Sequence, residues 1–198
     1  MATTPGPLRR AWQALTRPST RYSVLAIGLI GLVVGWALVG GAHAALEATN
    51  TQAFCLSCHE MRDTVFEEYK TTVHYNNRSG VRAGCPECHV PTALGPKLWR
   101  KAEASREVWG SWIGRVDTPE KFEAHRMEMA TREWERLKSS DSATCRTCHA
   151  FDAMGGTQKP INLKRHMKAK DDGKTCIDCH KGIAHRLPKE YKDPNEEE

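Results

Sequence analysis

The 198-residue chain carries 29 Lys and Arg against 24 Asp and Glu, a formal net charge of +5, with 39% hydrophobic and 7% aromatic residues and 8 cysteines. A charge this small and mixed in sign gives a nucleic-acid surface nothing to rest on, so no nucleic-acid partner is expected. Residues 48 to 198 are too polar to fill an ordinary core of that size with side chains alone.

Residues 1–22 form a basic N-terminus, with Arg9, Arg10, Arg17 and Arg21 and no acid. Ser23 to Ala42, "SVLAIGLIGLVVGWALVGGA", is an uncharged run of 20 residues, and about 20 helical residues match the hydrocarbon thickness of a bilayer. The arginine bias keeps the N-terminus in the cytoplasm and sends the rest across, so residues 23–44 are expected to be a single-pass anchor. "AHA" (Ala42 to Ala44) has the small-residue look of a cleavage site. The apolar run is longer than a signal-peptide core, however, and a retained anchor is expected. "GLVVG" (Gly31 to Gly35) permits close helix contact, hence homo-oligomerisation through the anchor as one option.

All eight cysteines then fall in four copies of one pattern: "CLSCH" (Cys55, Cys58, His59), "CPECH" (Cys85, Cys88, His89), "CRTCH" (Cys145, Cys148, His149) and "CIDCH" (Cys176, Cys179, His180). C-x-x-C-H is the c-type haem attachment pattern: two sulfurs bond the porphyrin, and the histidine that follows ligates its iron. Zinc sites need no histidine directly after every C-x-x-C pair, and a disulfide framework needs none at all. The sequence therefore predicts four haem c groups, with four porphyrins supplying the missing apolar bulk.

The motifs form two pairs. His59 and His89 are 30 apart and His149 and His180 are 31 apart, with His74 inside the first pair and His166 at the matching place in the second. The reading is a duplicated dihaem unit, residues 45–96 and 141–188, with His74 and His166 as distal iron ligands. His185 is a further candidate ligand. His125 is either a ligand or an ordinary satisfied histidine.

Residues 97–140 connect the units. "KLWRKAEASREVWGSWIG" places Leu98, Ala102, Trp109, Trp112 and Ile113 on one face at helical spacing. "DTPEKF" begins a second helix, with Asp117 or Thr118 as cap and Pro119 in the first turn, running to about Lys138. Phe122, His125 and Met129 share one stripe, and Met127, Ala130, Trp134 and Leu137 another. Residues 189–198 form a polar tail, and strand patterns are scarce. The predicted fold is mainly α: a haem-packed multihaem cytochrome c domain of two dihaem units behind one transmembrane helix.

These features resemble the NapC/NirT family of membrane-anchored tetrahaem cytochromes. The resemblance covers nearly the whole chain, including "TVHYNNRSGVRAGCPECHVP", "DTPEKFEAHRMEMATREWERLKSSDSATCRTCHAFDAM" and "TCIDCHKGIAHRLP". It implies a quinol dehydrogenase of the bacterial inner membrane, with its haem domain in the periplasm. Such a protein takes electrons from membrane quinol and passes them to a periplasmic reductase or cytochrome, as in nitrate- or nitrite-type respiration. It also implies that Met61, in "CLSCHEM", can ligate the first iron in place of His59. Motif 1 is the only motif followed by methionine at that place, and Cys55 lies 13 residues past Ala42. Even fully extended at roughly 3.3 to 3.6 Å per residue, the chain cannot carry it far from the anchor.

The family's quinol pocket uses a basic residue and an acid, which map to Arg100 or Lys101 and to Glu107. Glu107 stands where the family often has Asp, and Thr92 stands where close relatives often have His. A terminal haem reductase of a small oxyanion, or a non-enzymatic electron relay, are the alternatives that the motifs leave open.

Overall fold

The computed structural model describes residues 6–16, 21–151 and 160–192. Arg17 and the end of the polar tail, 193–198, lie outside the described residues. The chain divides into two compact units, Met1–Glu47 and Ala48–Glu198.

The first unit holds α1 (Pro7–Thr16) and most of α2 (Val24–Ala48). α1 is amphipathic, with Leu8 and Trp12 on a helix that also carries Arg9 and Arg10. α2 starts at a capping serine, the Ser23 Oγ accepting from the Ala26 N–H at 3.1 Å. It runs one turn beyond the expected boundary at Ala44, because "HAALEA" contains no helix breaker and five good helix formers. The Leu, Ile and Val side chains from Leu25 to Val39 are all exposed. A helix apolar on every side and covered on none needs an apolar solvent. Leu25–Ala48, with a mean hydropathy of 2.2, is long and apolar enough to cross a membrane.

The second unit is helical, with no strand among the described residues. α3 (Gln52–Cys55) leads into motif 1, followed by a π-helical turn (Met61–Val65) and α4 (Phe66–Tyr69). α5 (Cys85–His89) is motif 2 itself, and α6 (Leu94–Trp112) and α7 (Pro119–Ser139) form the connector. α8 (Ala143–Arg146) carries motif 3, α9 (Pro160–Asp171) carries His166, and α10 (Cys176–Cys179) carries motif 4. Each cysteine pair thus lies on or beside a single helical turn, where the i, i+3 spacing puts both sulfurs on one side. Ala48–Glu198 forms one compact unit.

α7 organises that body. Thr118 is its cap, accepting from the Lys121 N–H at 3.3 Å, and Pro119 takes the first helical position. It enters after Gly114, whose φ of +71° a side-chain-bearing residue adopts only with strain. It leaves through two left-handed residues, Asp141 and Ser142. The fully buried Ser142 accepts the Ile177 N–H at 3.3 Å, and Lys138 reaches Asp178 at 2.8 Å, so the end of α7 holds motif 4.

The protein's own core is small. Among the described residues the buried apolar side chains other than proline are Tyr69, Phe122, Leu137 and Ile177. α6 begins at Leu94, earlier than expected, and its stripe of Leu98, Trp109, Trp112 and Ile113 is exposed rather than packed on protein.

Candidate functional site

Six histidines meet in three pairs. Ring centres are 6.1 Å apart for His74 and His149, 6.2 Å for His89 and His185, and 6.0 Å for His166 and His180. Two metal–imidazole bonds of about 2 Å, with roughly 1 Å from each nitrogen to its ring centre, span about 6 Å across one iron. Each pair joins one motif histidine to one histidine from elsewhere. His74, from the first half, faces motif 3, and His185, from the second half, faces motif 2. Burial and the facing imidazole lower the pKa of His74; burial, His166 and His149 lower that of His180. Burial, and then His89, push His185 down to about 4. Neutral imidazole is the form that ligates a metal.

Different devices place these rings. Tyr69, buried and wedged edge-on against Tyr75 (centroids 5.4 Å apart), sets its hydroxyl against the carbonyls of His74, at 3.0 Å, and of Ala83. The Asn77 amide donates to Val73 O and Val81 O and so closes the His74 loop. His166 donates Nδ1–H to the Asn162 carbonyl one turn back on α9 (2.9 Å), leaving Nε2 for a metal. His89 donates Nδ1–H to Glu133 of α7 at 2.9 Å. Burial opposes charge on Glu133, but His89 and Arg136 outweigh it and hold its carboxyl at about 2. His185 follows a tight turn at Gly182, where φ is +77° and a Cβ would sit 3.0 Å from Leu187.

His185 is also clamped through its neighbour. Glu68 accepts the Arg186 backbone N–H and Arg186 Nε, each at 3.0 Å. It pairs with Arg126 of α7 through both guanidinium nitrogens, at 2.7 and 3.1 Å. Arg126 in turn holds Glu123 at 2.8 Å.

Motif 1 differs. Among the described residues its His59 meets no other imidazole, and it lies 3.7 Å from Glu60 Oε1 with its side chain 55% exposed. Glu60 is buried and accepts the Ser111 hydroxyl of α6 at 2.6 Å. Met61 opens the π-helical turn, a local distortion often found at functional sites. His125 donates Nδ1–H to Lys121 O at 2.9 Å within α7 and stands in none of the three pairs. Arg100 and Glu107, two turns apart on α6, pair at 3.0 Å, while Lys101 reaches Thr49 O at 2.6 Å. Arg100 Nε and Nη1 are buried without a hydrogen-bond partner. Two clefts of about 430 and 510 Å³ border Glu68, Arg126 and Arg186 or Glu120, Ala124 and Lys189, and neither includes the α6 trio.

Do these residues fit haem? The Nδ1 atoms of His74 and His185 are buried and lack any hydrogen-bond partner, which an iron or a ring flip toward one would answer. None of the eight cysteines is in a disulfide, and no three Cys, His, Asp or Glu among the described residues gather as a zinc site requires. The turns that carry the motifs are neighbours: α3 packs on α5, α5 packs on α8, and Ser142, just before α8, accepts the Ile177 N–H of motif 4. Motifs 1 to 4 therefore lie next to one another in chain order. With so few buried apolar side chains, the donor set fits a porphyrin core. Sequence reading missed Glu133, Glu60 and the Glu68–Arg126–Arg186 clamp. None has a local pattern, since each acts on a partner tens of residues away.

Comparison with known proteins identifies the family. Residues 17–190 match the NapC/NirT cytochrome c family, N-terminal region. The chain is 53% identical over 184 residues to denitrification system component NirT of Stutzerimonas stutzeri, covering 92% of each. It is 52% identical over 187 residues to cytochrome c-type protein NapC of Escherichia coli K12, covering 93% of this chain and 92% of the relative. It is 51% identical over 183 residues to cytochrome c-type protein TorC of the same strain, of which it spans 47%. No solved structure matches. A match that runs from the anchor to the last motif, at about half of all residues identical, makes the chain a member of the NapC/NirT family of c-type cytochromes, with covalently bound haem c as its cofactor.

Proposed function

We propose that the chain is a single-pass quinol dehydrogenase of the bacterial inner membrane that carries four haems and hands electrons to a periplasmic reductase. The observation that carries the reading is an asymmetry: three motif histidines have an imidazole facing them and His59 has none among the described residues. Three coordinatively filled centres suit electron relay, and one open centre suits contact with a substrate.

When bound, haem c supplies one-electron redox chemistry, so that the two electrons of a quinol leave singly toward the acceptor. The eight motif cysteines hold the four groups. His74 with His149, His89 with His185, and His166 with His180 would each hold one iron between them. Met61 or His59 would hold the first iron. Glu107 takes a quinol proton as general base, with Arg100 fixing its carboxylate at 3.0 Å. Lys101 binds back to the Thr49 carbonyl and so orders the chain just after α2. Motif 1 begins seven residues after Ala48, the last residue of α2, which supports its role as the quinol-side centre. The arginines ahead of α2 support a periplasmic haem domain. A relative named for the denitrification system supports an acceptor in nitrogen-oxide respiration.

The test is anaerobic addition of a quinol to the detergent-solubilised protein, followed by its visible spectrum. Reduction of the haem bands by quinol, slowed in Glu107→Ala, is expected. Protein that dithionite reduces and quinol does not would overturn the reading.

A further inference from the structure

We propose that Glu133 sets the reduction potential of the haem at motif 2, making it the lowest of the three bis-imidazole centres. The inference rests on the axial pair His89–His185 proposed above. Glu133 lies on α7, 44 residues after His89, and its side chain is only 23% exposed. It accepts the His89 Nδ1–H at 2.9 Å, which leaves Nε2 to face the metal. Arg136, three residues on, donates Nε to Glu133 Oε2 at 3.0 Å and a second nitrogen to Oε1, so the carboxylate is fixed in place.

The three pairs differ in what stands behind each ring. His166 gives its Nδ1–H to a neutral backbone carbonyl. Among the described residues no carboxylate lies within 4 Å of His74, His149, His166, His180 or His185, whereas His89 has Glu133. A carboxylate behind an axial imidazole draws the N–H proton toward itself and makes the ring a stronger donor. A stronger donor favours the ferric over the ferrous iron, and the potential falls. The choice of acceptor is thus a means of ranking centres that share one ligand set. Because motif 2 lies between motifs 1 and 3, its low potential makes it the step that electrons from the open centre must climb.

The geometry also separates this effect from simple charge. Glu135 stands two residues along α7 on the exposed side and adds the same charge without touching His89.

The experiment is a mediated redox titration of the haem-loaded protein. Glu133→Gln keeps the shape and an acceptor oxygen but removes the charge. One low-spin haem should rise by at least a tenfold shift in its oxidised-to-reduced ratio at fixed potential, about 59 mV for a one-electron couple. The other haems should stay put, and Glu135→Gln should change none of them appreciably. If Glu133→Gln does not load, Arg136→Gln carries the test with opposite sign, since a carboxylate freed of its arginine pulls harder on His89 and lowers the same haem. Unchanged potentials, or equal shifts in Glu133→Gln and Glu135→Gln, would overturn the proposal. His185→Met tests the axial pair separately: an unchanged low-spin spectrum there would remove the pair itself, whereas a changed one with no effect of Glu133→Gln removes only the role of Glu133.

Discussion

Glu68→Gln isolates the clamp behind His185. In the native protein both partners of the Glu68–Arg126 pair have side chains only 7% exposed, and Glu68 accepts from two nitrogens of Arg126 and two of Arg186. Removing one member of a buried pair leaves the other charge uncompensated, which costs about 3 to 5 kcal/mol. Arg126 keeps Glu123 at 2.8 Å, so the lower end applies. For a domain of this size, roughly 3 kcal/mol lowers the melting temperature by roughly 6 to 12 °C. Thermal melts followed by circular dichroism read this term. The Soret and low-spin bands read the second consequence, loosening of His185 from one haem only. Glu68→Leu with Arg126→Met, which removes both charges, should recover most of the loss. Acid provides an independent check. Burial resists charge on Glu68, yet Arg126 and Arg186 outweigh it and hold its pKa below the ordinary value. The stability it adds is therefore complete above about pH 4.3 and is lost as pH falls through its lowered folded value. The gap between native protein and Glu68→Gln should close in that acid range. A Glu68→Gln protein that melts like the native one and keeps every low-spin band would refute the clamp.

Two further outcomes are expected. The rings of His74 and His149 cross at 80°, whereas those of His166 and His180 lie within 11° of parallel. Crossed imidazole planes leave the iron's two π-type d orbitals nearly equal in energy, so electron paramagnetic resonance should show a highly anisotropic low-spin signal lost in His74→Met and a rhombic one lost in His166→Met. Two identical signals would contradict the ring geometry. Met61→Leu should perturb a single haem, distinct from both of these, and slow quinol oxidation while dithionite reduction persists. Spectra and rates that match the native protein would make Met61 a packing residue and His59 the ligand.

The attachment chemistry was legible because it is local. Two sulfurs and an imidazole must come from five consecutive residues on one helical turn, so "CLSCH" and its three copies state their purpose without a fold. Local rules also govern the long elements: Thr118 and Pro119 start α7, and an unbroken apolar run makes α2. The duplicated spacing singled out His74 and His166, but not whom they would face. His74 meets His149, 75 residues on, and His185 meets His89, 96 residues back, so the two halves exchange imidazoles at motifs 2 and 3, while His166 meets His180 within its own half. A repeat in sequence favours pairing within each copy, as His166 and His180 show, and only the path of the packed chain decides the two crossed pairs. The same holds for polar partners. Glu68, Arg126 and Arg186 come from three separated segments, and Glu133 reaches back to motif 2 from the middle of α7. A carboxylate takes its function from the donor it meets, and α7 packed against the motifs is what brings Glu133 to His89 and Arg126 to Glu68. The apolar stripe of α6 shows the converse: helical periodicity aligned Leu98, Trp109 and Trp112, yet the polypeptide leaves them uncovered, because in a chain built around porphyrins an apolar face need not pack on protein.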